Sequence, residues 1–352
     1  MEKRVYNILV DFFGRYKMKI LLDANKPFYK ANLHTHSHLS DGKHSPERLK
    51  EEYKKRGYSI VAFTDHEHLL DQSHLDDESF LTITSCELAI KADPRQSTQK
   101  NFVMKAAHLN AYALDQHNTL TPCHSFIYEK AFINDNCRSL LRESGEYTRD
   151  YSPEGINKMI AEIKSQGFLV SYNHPNWSLE DARDYLRYEG MDFVEIYNHG
   201  CVQMGHNDDE HMLDDFLNEG KRVYCTACDD SHNKQPFDSP AGDSFGGWVC
   251  INADKLEYGT VMNALANGDF YASTGPSVFS LVLDGDKVRI ETSPCKKITL
   301  ITKGRRRKPV FAEAGGELTV AEFTLLPTDE FFRIRVTDEF GKNAYTQAYD
   351  VK

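Results

Sequence analysis

The sequence predicts an α/β fold with a mostly parallel sheet, followed by a small all-β domain. From about residue 29 to residue 268, strand-like runs alternate with helix-like runs, which is typical of parallel sheets and α/β barrels. From residue 276 onward, short alternating runs are separated by turn residues. With 352 residues, the chain is long enough for one large and one small domain.

The first residues also have the pattern of strands. The runs RVYNILVDF and MKILLD are interpreted as strands. We therefore expect residues 1–28 to form a β extension that packs on the C-terminal domain. The predicted boundaries are 29–275 for the large domain and 276–352 for the small all-β, sandwich-like domain.

Three helical segments of the large domain share their boundary residues. SPERLKEEYKKRG (45–57) offers Ser45 as N-cap, proline at the first helical position and a closing glycine. SPEGINKMIAEIKSQG (152–167) repeats this pattern. SLEDARDYLRYEG (178–190) is interpreted as a third helix that closes on Gly190.

Nearly every one of seven strand candidates carries His, Asp or Glu at or near its C-terminal end. If the strands form a barrel, these ends meet at one face, where barrel enzymes place their catalytic groups. The candidates are YKANLHTH, SIVAFTDH, LTITSCEL, FVMKAAHLNAYAL, GFLVSYNHP, DFVEIYNHG and RVYCTACDDSH. The scattered polar residues are thus predicted to line one cavity.

Two segments interrupt or end this alternation. Residues 115–151 form a polar insertion, which we interpret as a lid or specificity loop. VFSLVLDGDKVRIET, which begins at residue 278, predicts a hairpin with Asp-Gly-Asp at its turn.

Composition excludes several function classes. A formal net charge of −11 argues against non-specific nucleic-acid binding and against docking on anionic lipid. The basic run KGRRRK (303–308) lies between two strand-like runs and is interpreted as a solvated hairpin loop. We find neither a signal peptide nor an apolar run long enough to span a membrane, so we expect a cytoplasmic protein.

The eight cysteines do not indicate a disulfide framework. Cys225 and Cys228 form a CxxC, but no second CxxC follows and the pair lies in a strand-like run. We therefore do not predict a redox or zinc site there.

The stretch NLHTHSHLSDG (32–42) is the first candidate metal site. His34 and His36 are two apart on a strand, so their side chains leave the same face and are able to hold one ion. His38 has the same parity but is already entering the loop, and we expect it to face solvent or to support a ligand. Asp41 places a carboxylate in that loop.

Further candidates follow at the ends of the other strands. Imidazole and carboxylate groups together suit Zn, Mn or Fe, and a carboxylate is able to bridge two ions. The additional predicted ligands are His66, Glu87, His108, His174, Asp230 and His232. These groups are more than the four ligands that one tetrahedral metal ion requires. Two or three divalent ions are therefore predicted.

The remaining histidines lack this placement, and we expect them to be ordinary hydrogen-bonded residues. They are His44, His68, His74, His117, His124, His206 and His211. His199 ends a strand without a partner motif and is retained as a proton donor or substrate contact.

The set HTHS…SDG…TDH…E…H…H…DxH resembles the PHP (polymerase and histidinol phosphatase) family of metal-dependent phosphoesterases. SYNHPNW, EIYNH, CDDSHN, DSFGGW and YASTGP are similar to its CehA/McbA-like, carbaryl-hydrolysing subgroup. The resemblance implies a distorted (β/α)7 barrel and a three-metal centre. It implies one ion at His34, His36, Glu87 and Asp230, a second at Glu87, His108 and His174, and a third at Asp41, His66 and His232. This chain has TSCE where the family often has a glycine before the bridging glutamate region.

The expected activity is hydrolysis of a small-molecule phosphate ester by a metal-bound hydroxide. Asp230 is expected to steer a proton, and Asp65 and Asp229 to orient neighbouring histidines. Asn176, Trp177 and parts of 115–151 are expected to shape the pocket.

Two alternatives stay open. The same ions would polarise a carbonyl, so a carbamate, ester or amide hydrolase is the second interpretation. A non-catalytic metal-containing binding protein is the third. The native metal, the oligomeric state and the role of the β-domain remain open at this stage.

Overall fold

The computed structural model describes residues 18–92, 104–132 and 142–351. It divides into two units, one from Phe28 to Thr274 and one that combines the described residues before Phe28 with those after Thr274. RVYNILVDF, predicted as a strand, lies outside the described residues. Among those residues, no helix is both long and apolar enough to cross a membrane.

In chain order, the strands are β1 (Lys19–Leu22), β2 (Phe28–Asn32), β3 (Ile60–Phe63), β4 (Leu81–Lys91), β5 (Ala106–Ala113), β6 (Leu120–Thr121), β7 (Arg142–Glu143), β8 (Phe168–Asn173), β9 (Phe193–Asn198), β10 (Tyr224–Cys228), β11 (Trp248–Asn252), β12 (Phe270–Ser273), β13 (Val278–Asp284), β14 (Lys287–Cys295), β15 (Lys297–Thr302), β16 (Arg307–Phe311), β17 (Leu318–Thr324), β18 (Phe331–Thr337), β19 (Asn343–Thr346) and β20 (Tyr349–Asp350). The α-helices are α1 (Pro46–Lys55), α2 (Phe126–Phe132), α3 (Pro153–Ser165), α4 (Ala182–Tyr185), α5 (His199–Gln203), α6 (Glu210–Asn218) and α7 (Tyr258–Asn267). A 3-10 helix spans Ser73–Leu75.

The large unit is built on a mixed sheet with the strand order β10-β9-β8-β5-β4-β3-β2-β11-β12. The expected parallel pairing is present from β2 to β4 and from β8 to β10. A mixed α/β fold is therefore confirmed. The expectation of a mostly parallel sheet is wrong at β5, β11 and β12, which run antiparallel to their neighbours.

The antiparallel pairing of β5 with β4 continues beyond the two strands. Ala92 N–H donates to the Lys105 carbonyl at 2.9 Å, so the residue after β4 lies beside the residue before β5. As a result, the beginning of β5 lies beside the end of β4, with Ala89 opposite His108.

The sheet curls until the segments that follow its first and last parallel strands meet. Asp230 N–H donates to the His34 carbonyl, and His36 N–H donates to the Ser231 carbonyl, both at 2.9 Å. These bonds hold the polypeptide after β10 against the polypeptide after β2. Two distant histidine- and aspartate-bearing segments therefore become neighbours.

Two helices follow the boundaries predicted from the sequence. The Ser45 side chain accepts the Arg48 N–H before α1, and the Ser152 side chain accepts the Gly155 N–H before α3. α1 packs on β3 through an apolar cluster that includes Leu49, Val61 and Phe63, with other members from nearby segments. The helix ends agree with the general preferences of caps.

The third predicted helix is much shorter than expected. α4 spans only Ala182–Tyr185, because Asp181 acts as the N-cap and forms a reciprocal capping box with Asp184. Ser178 does not start a helix, and its N–H donates instead to the His174 carbonyl at 3.1 Å.

The insertion 115–151 contains the short parallel pair β6–β7 and helix α2. The small unit is formed by two antiparallel sheets. One has the order β1-β13-β14-β17, and the other joins β19, β18, β15 and β16, with β20 also paired to β18. β1, from MKILLD, thus pairs with β13.

The two hairpins predicted in this unit are confirmed. Asp-Gly-Asp turns between β13 and β14, with Gly285 at φ +62°. The basic run lies at the turn between β15 and β16. Within it, Arg306 pairs with Asp329, and Arg307 donates to the carbonyls of Thr302 and Gly304, so both cations serve the local structure.

Replacing Ser152 by alanine should lower the free energy of unfolding by about 1 kcal/mol, because the Gly155 N–H would lose its capping acceptor. The measurement is urea unfolding followed by circular dichroism. Ser165→Ala, at the other end of the same helix, is the control and should have a much smaller effect. Equal losses in the two variants would contradict the cap assignment.

Candidate metal centre

The nine predicted ligands lie together at one end of the large unit's sheet. His34 and His36 follow β2, His66 follows β3, and His174 follows β8. Asp230 and His232 follow β10, and Asp41 lies in the loop after β2. Glu87 lies within β4, and His108 lies near the beginning of β5, which is antiparallel to β4 and so starts at the same end of the sheet.

Glu87 occupies the centre of this arrangement and is 1% exposed. Its Oε1 lies 3.1 Å from His108 Nδ1, 3.2 Å from His174 Nε2 and 3.3 Å from His34 Nε2. Its Oε2 lies 3.2 Å from His66 Nδ1 and 3.5 Å from His36 Nε2. One carboxylate therefore contacts five imidazoles through both of its oxygens.

Asp230 and Asp41 complete the arrangement on other sides. Asp230 Oδ1 lies 3.0 Å from His36 Nε2 and 3.2 Å from His34 Nε2. Asp41 Oδ2 lies 3.4 Å from His232 Nε2, and its Oδ1 lies 3.8 Å from His66 Nε2.

Within the part of the chain that the structure describes, the potential ligand atoms form overlapping groups. Each group has atoms within 4.8 Å of one another. The groups are His34, His36, Glu87 and Asp230; Glu87, His108 and His174; His36, Asp41, His66 and His232; and His34, His174 and Glu195. Because Glu87 and His36 are shared, the groups form one continuous cluster.

The donor atoms fit divalent transition metals. Nitrogens and oxygens held about 2.0–2.2 Å from one ion stand roughly 3.3–3.6 Å apart in tetrahedral geometry. The separation of His34 Nε2 from His36 Nε2 is 3.3 Å, close to this value. His36 Nδ1 and His108 Nε2 are buried, with no hydrogen-bond partner in the described part of the chain. Such nitrogens are costly to bury without a ligand.

Electrostatics keeps the carboxylates of the cluster ionised. Burial alone would raise the pKa of Glu87, but His108 and His34 hold it well below its ordinary value. Burial likewise opposes ionisation of Asp230, whose pKa His34 and His36 keep well below its ordinary value. Both side chains are therefore anionic at neutral pH.

The backbone around the cluster is strained at several non-glycine residues. Left-handed φ angles occur at His174 (+28°), Asp230 (+52°), Glu67 (+65°) and Asn233 (+55°). Such angles each cost of order 1–3 kcal/mol and concentrate at functional sites. These backbone angles direct side chains toward the cluster that ordinary strand geometry would not bring together.

Glu195 supports the cluster and was missed by the sequence reasoning. Its Oε1 lies 3.0 Å from His34 Nδ1, and its Oε2 accepts the His174 N–H at 3.2 Å. Glu195 is 1% exposed, within the otherwise mostly apolar strand β9. A lone glutamate in a buried strand was the signal that could have identified it.

Asp65 and Asp229 do not orient histidines directly, so that expectation needs correction. Asp65 accepts hydrogen bonds from the N–H and hydroxyl groups of Ser37 and Ser40. Asp229 accepts the N–H groups of residues 245–247 and the Tyr53 hydroxyl. Burial raises the pKa of Asp229 to about 6. Both carboxylates therefore hold loops in place through these hydrogen bonds.

His199 lies beside the cluster and belongs to none of its groups. Its Nδ1 is 3.1 Å from the Tyr197 hydroxyl, and its Nε2 is 3.3 Å from Gln203 Nε2. His38 is exposed, as expected. Cys225 and Cys228 are buried in β10 and belong to no metal group among the described residues.

A cavity of about 510 Å³ opens over the cluster. Trp177 lines it and packs on His108 and His174, with ring centroids 5.1 Å and 5.0 Å apart. Lys91 and Lys234 also line it, and the sequence reasoning missed both. Lys91 shares the strand parity of Glu87, which was an available signal.

Two expected pocket elements lie away from this cavity. Asn176 is absent from its lining; its N–H donates to Asp209 Oδ2 at 3.3 Å, and its side-chain oxygen accepts the Asn207 N–H at 3.2 Å. No described residue of 115–151 lines the cavity. The lid interpretation therefore stays a prediction.

A family model for the PHP domain matches residues 32–189. No curated protein matches the chain. The family match does not separate subgroups, so the similarity to CehA/McbA-like hydrolases stays a prediction.

Several solved structures resemble this chain. A two-domain Bacteroides vulgatus protein, described as containing a PHP-like metal-dependent phosphoesterase, is 14% identical, with a TM-score of 0.45, covering 93% of this chain and 96% of that one. A candidate metal-dependent phosphoesterase from Bifidobacterium adolescentis is 18% identical, with a TM-score of 0.33, covering 60% and 91%. A Chromobacterium violaceum amidohydrolase with bound sulfate is 14% identical, with a TM-score of 0.38, covering 57% and 87%.

Glu195→Gln should weaken metal binding about 10- to 100-fold, because groups that orient metal-binding histidines typically contribute this much. The measurement is a competition titration with a chelator, together with metal counting. Glu219→Gln, at an exposed position, is the matched control. Unchanged affinity in Glu195→Gln would remove the positioning role.

Asp209 should make stability depend on pH, because burial raises its pKa to about 7 from an ordinary value of 3.8. Between those values the unfolded chain ionises Asp209 while the folded protein keeps it protonated, so its contribution to stability falls as pH rises. Asp209→Asn should therefore gain stability relative to the wild type between pH 4 and 7. Urea unfolding across that range tests this prediction. The same change of the free energy of unfolding with pH in both proteins would refute it.

Proposed function

Because the chain contains a PHP domain over residues 32–189, we propose that it is a metal-dependent hydrolase of small-molecule phosphate esters. The observation that carries the proposal is the contact of the buried Glu87 carboxylate with five histidines. A structural histidine needs one or two hydrogen-bond partners. Here five imidazoles surround one carboxylate, which is more nitrogen atoms than hydrogen bonding to that carboxylate requires.

The proposed ligands are the nine residues predicted from the sequence, His34, His36, Asp41, His66, Glu87, His108, His174, Asp230 and His232. They would hold two or three divalent ions, with Glu87 bridging two of them. Divalent ions at such a centre would supply hydroxide near neutral pH and neutralise charge on phosphoryl oxygens. We also propose that the curled sheet of the large unit is a distorted (β/α)7 barrel.

The cavity wall supports a phosphate ester as substrate. Lys91 and Lys234 bring two ammonium groups to the cavity, and such groups bind phosphate oxygens as point charges. Lys43 and Arg183, which lie near the ligand motifs in the sequence, do not line it. Trp177 would contact the leaving group from its place against His108 and His174.

Asp230 is the proposed residue for steering a proton during the reaction. Asn198 Nδ2 donates to its Oδ2 at 3.1 Å, which fixes the carboxylate while Oδ1 faces His34 and His36. His199 does not line the cavity, whereas Gln203, whose Nε2 lies 3.3 Å from His199 Nε2, does. A role of His199 with substrate would therefore act through the Gln203 amide.

A second candidate function is hydrolysis of a carbamate or carboxylic ester. Trp177, Met204 and Ala241 give the cavity an apolar surface, which suits an uncharged substrate. The two functions differ in the need for the two lysines.

We expect the protein reconstituted separately with Mn, Zn or Fe to hydrolyse p-nitrophenyl phosphate, and to do so better than p-nitrophenyl acetate or a naphthyl carbamate. His34→Ala and Glu87→Gln should lose bound metal and fall to the uncatalysed rate. His38→Ala removes an exposed histidine outside the cluster and is the matched control.

Turnover of the ester or carbamate alone would move the assignment to the second candidate. Bound metal without turnover of any of these substrates, followed by tight binding of an unmodified small molecule, would favour the binding-protein interpretation. Failure of the wild-type protein to bind any metal would overturn the proposed function.

A further inference from the structure

The end of the insertion, residues 147–151, is fixed by a buried ion pair to the loop that carries His66. Arg149 Nη2 donates to Glu67 Oε2 at 2.6 Å, and Arg149 Nη1 donates to Glu67 Oε1 at 2.8 Å. The side chains of Arg149 and Glu67 are 1% and 0% exposed. Arg149 also donates to the carbonyls of Ala89 and Cys123. We call residues 147–151 the strap.

Two positions later, the strap contacts the loop that carries His174. The Tyr151 hydroxyl donates to Glu180 Oε1 at 2.7 Å. Glu180 also accepts the hydroxyls of Tyr172 and Tyr188, each at 2.5 Å, and its N–H donates to the Pro175 carbonyl at 3.0 Å. This loop begins at His174 and folds back onto Glu180, so Tyr151 is attached to its far end.

The two loops held by the strap supply histidines to opposite oxygens of one carboxylate. His66 directly precedes Glu67 and lies 3.2 Å from Glu87 Oε2. His174 lies 3.2 Å from Glu87 Oε1. Both loops are locally strained, with left-handed backbone at Glu67 and at His174. A strained loop keeps its geometry only where surrounding contacts impose it.

We propose that Arg149 and Tyr151 are positioning residues that set the spacing of His66 and His174 across Glu87. This inference rests on the metal centre of the proposed function. The strap contacts neither histidine side chain in any bond described above. It acts through Glu67 on one side and Glu180 on the other. The strap would thus support the metal centre from outside the cavity.

The test compares metal binding in Arg149→Met and Tyr151→Phe with that in the wild type, using cobalt(II) as the probe. Visible absorption of bound cobalt reports the ligand geometry, and a chelator competition gives the affinity. Arg306→Met is the matched control, because it breaks an ion pair of Arg306 and the buried Asp329 in the other unit. Circular dichroism verifies that each variant is folded.

We expect Arg149→Met to bind cobalt about 10- to 100-fold more weakly, with a shifted visible spectrum, since residues that orient ligands have effects of this size. In Tyr151→Phe, the cobalt affinity and the visible spectrum should change in the same direction but by less, because Tyr172 and Tyr188 still donate to Glu180. Arg306→Met should keep the wild-type affinity and spectrum. Arg149→Lys, which retains the charge, should restore part of the affinity and stands in for Arg149→Met if that variant does not fold.

Folded strap variants with wild-type affinity and spectrum would overturn the positioning role and leave the proposed function intact. A spectral change of equal size in Arg306→Met would also overturn it, since the effect would then follow from lost stability. Absence of cobalt binding in the wild type would instead count against the proposed function.

Discussion

The structure depends on the placement of one ionised carboxylate, Glu87, in a buried position that is only 1% exposed. Transfer of an isolated carboxylate into such a place is strongly unfavourable, and the group would ordinarily become neutral. Glu87 stays anionic because histidines from four different segments surround it. The polypeptide must therefore bring these segments together with an accuracy that apolar packing alone would not require.

Much of the irregularity in the fold follows from this requirement. The reversal at β5 brings His108 beside Glu87, which a crossover helix and a parallel β5 would have placed differently. The bonds between the segments after β2 and β10 bring Asp230 to His34 and His36. The carboxylates of Glu195, Asp65 and Asp229 then hold the surrounding loops through backbone and side-chain donors. The apolar core stabilises the sheet, whereas these polar contacts fix the conformation of the loops at the ends of its strands.

The sequence was informative where the relevant physics is local. The i, i+2 spacing of His34 and His36 predicts a shared face, and the Ser-Pro-Glu boundaries predict α1 and α3, because strand parity and helix caps act over a few residues. The direction of β5, the support from Glu195 and the lysines of the cavity depend on which strands become neighbours. A single sequence does not encode those neighbours in any local pattern. The Asp181 capping box shows that even a local signal is misread when two caps compete, as Ser178 and Asp181 did.

The pairing of β1 with β13 has a consequence for how the chain folds. Lys19 lies opposite Leu283, so a sheet of the small unit joins residues that precede the large unit to residues that follow it. Contacts of such large sequence separation form late, because the closure entropy of the intervening chain must be overcome first. During synthesis, β1 leaves the ribosome long before its partner exists and has no strand to pair with in the meantime. The large unit is continuous from Phe28 to Thr274, so the segments that carry all nine predicted ligands are synthesised before β13.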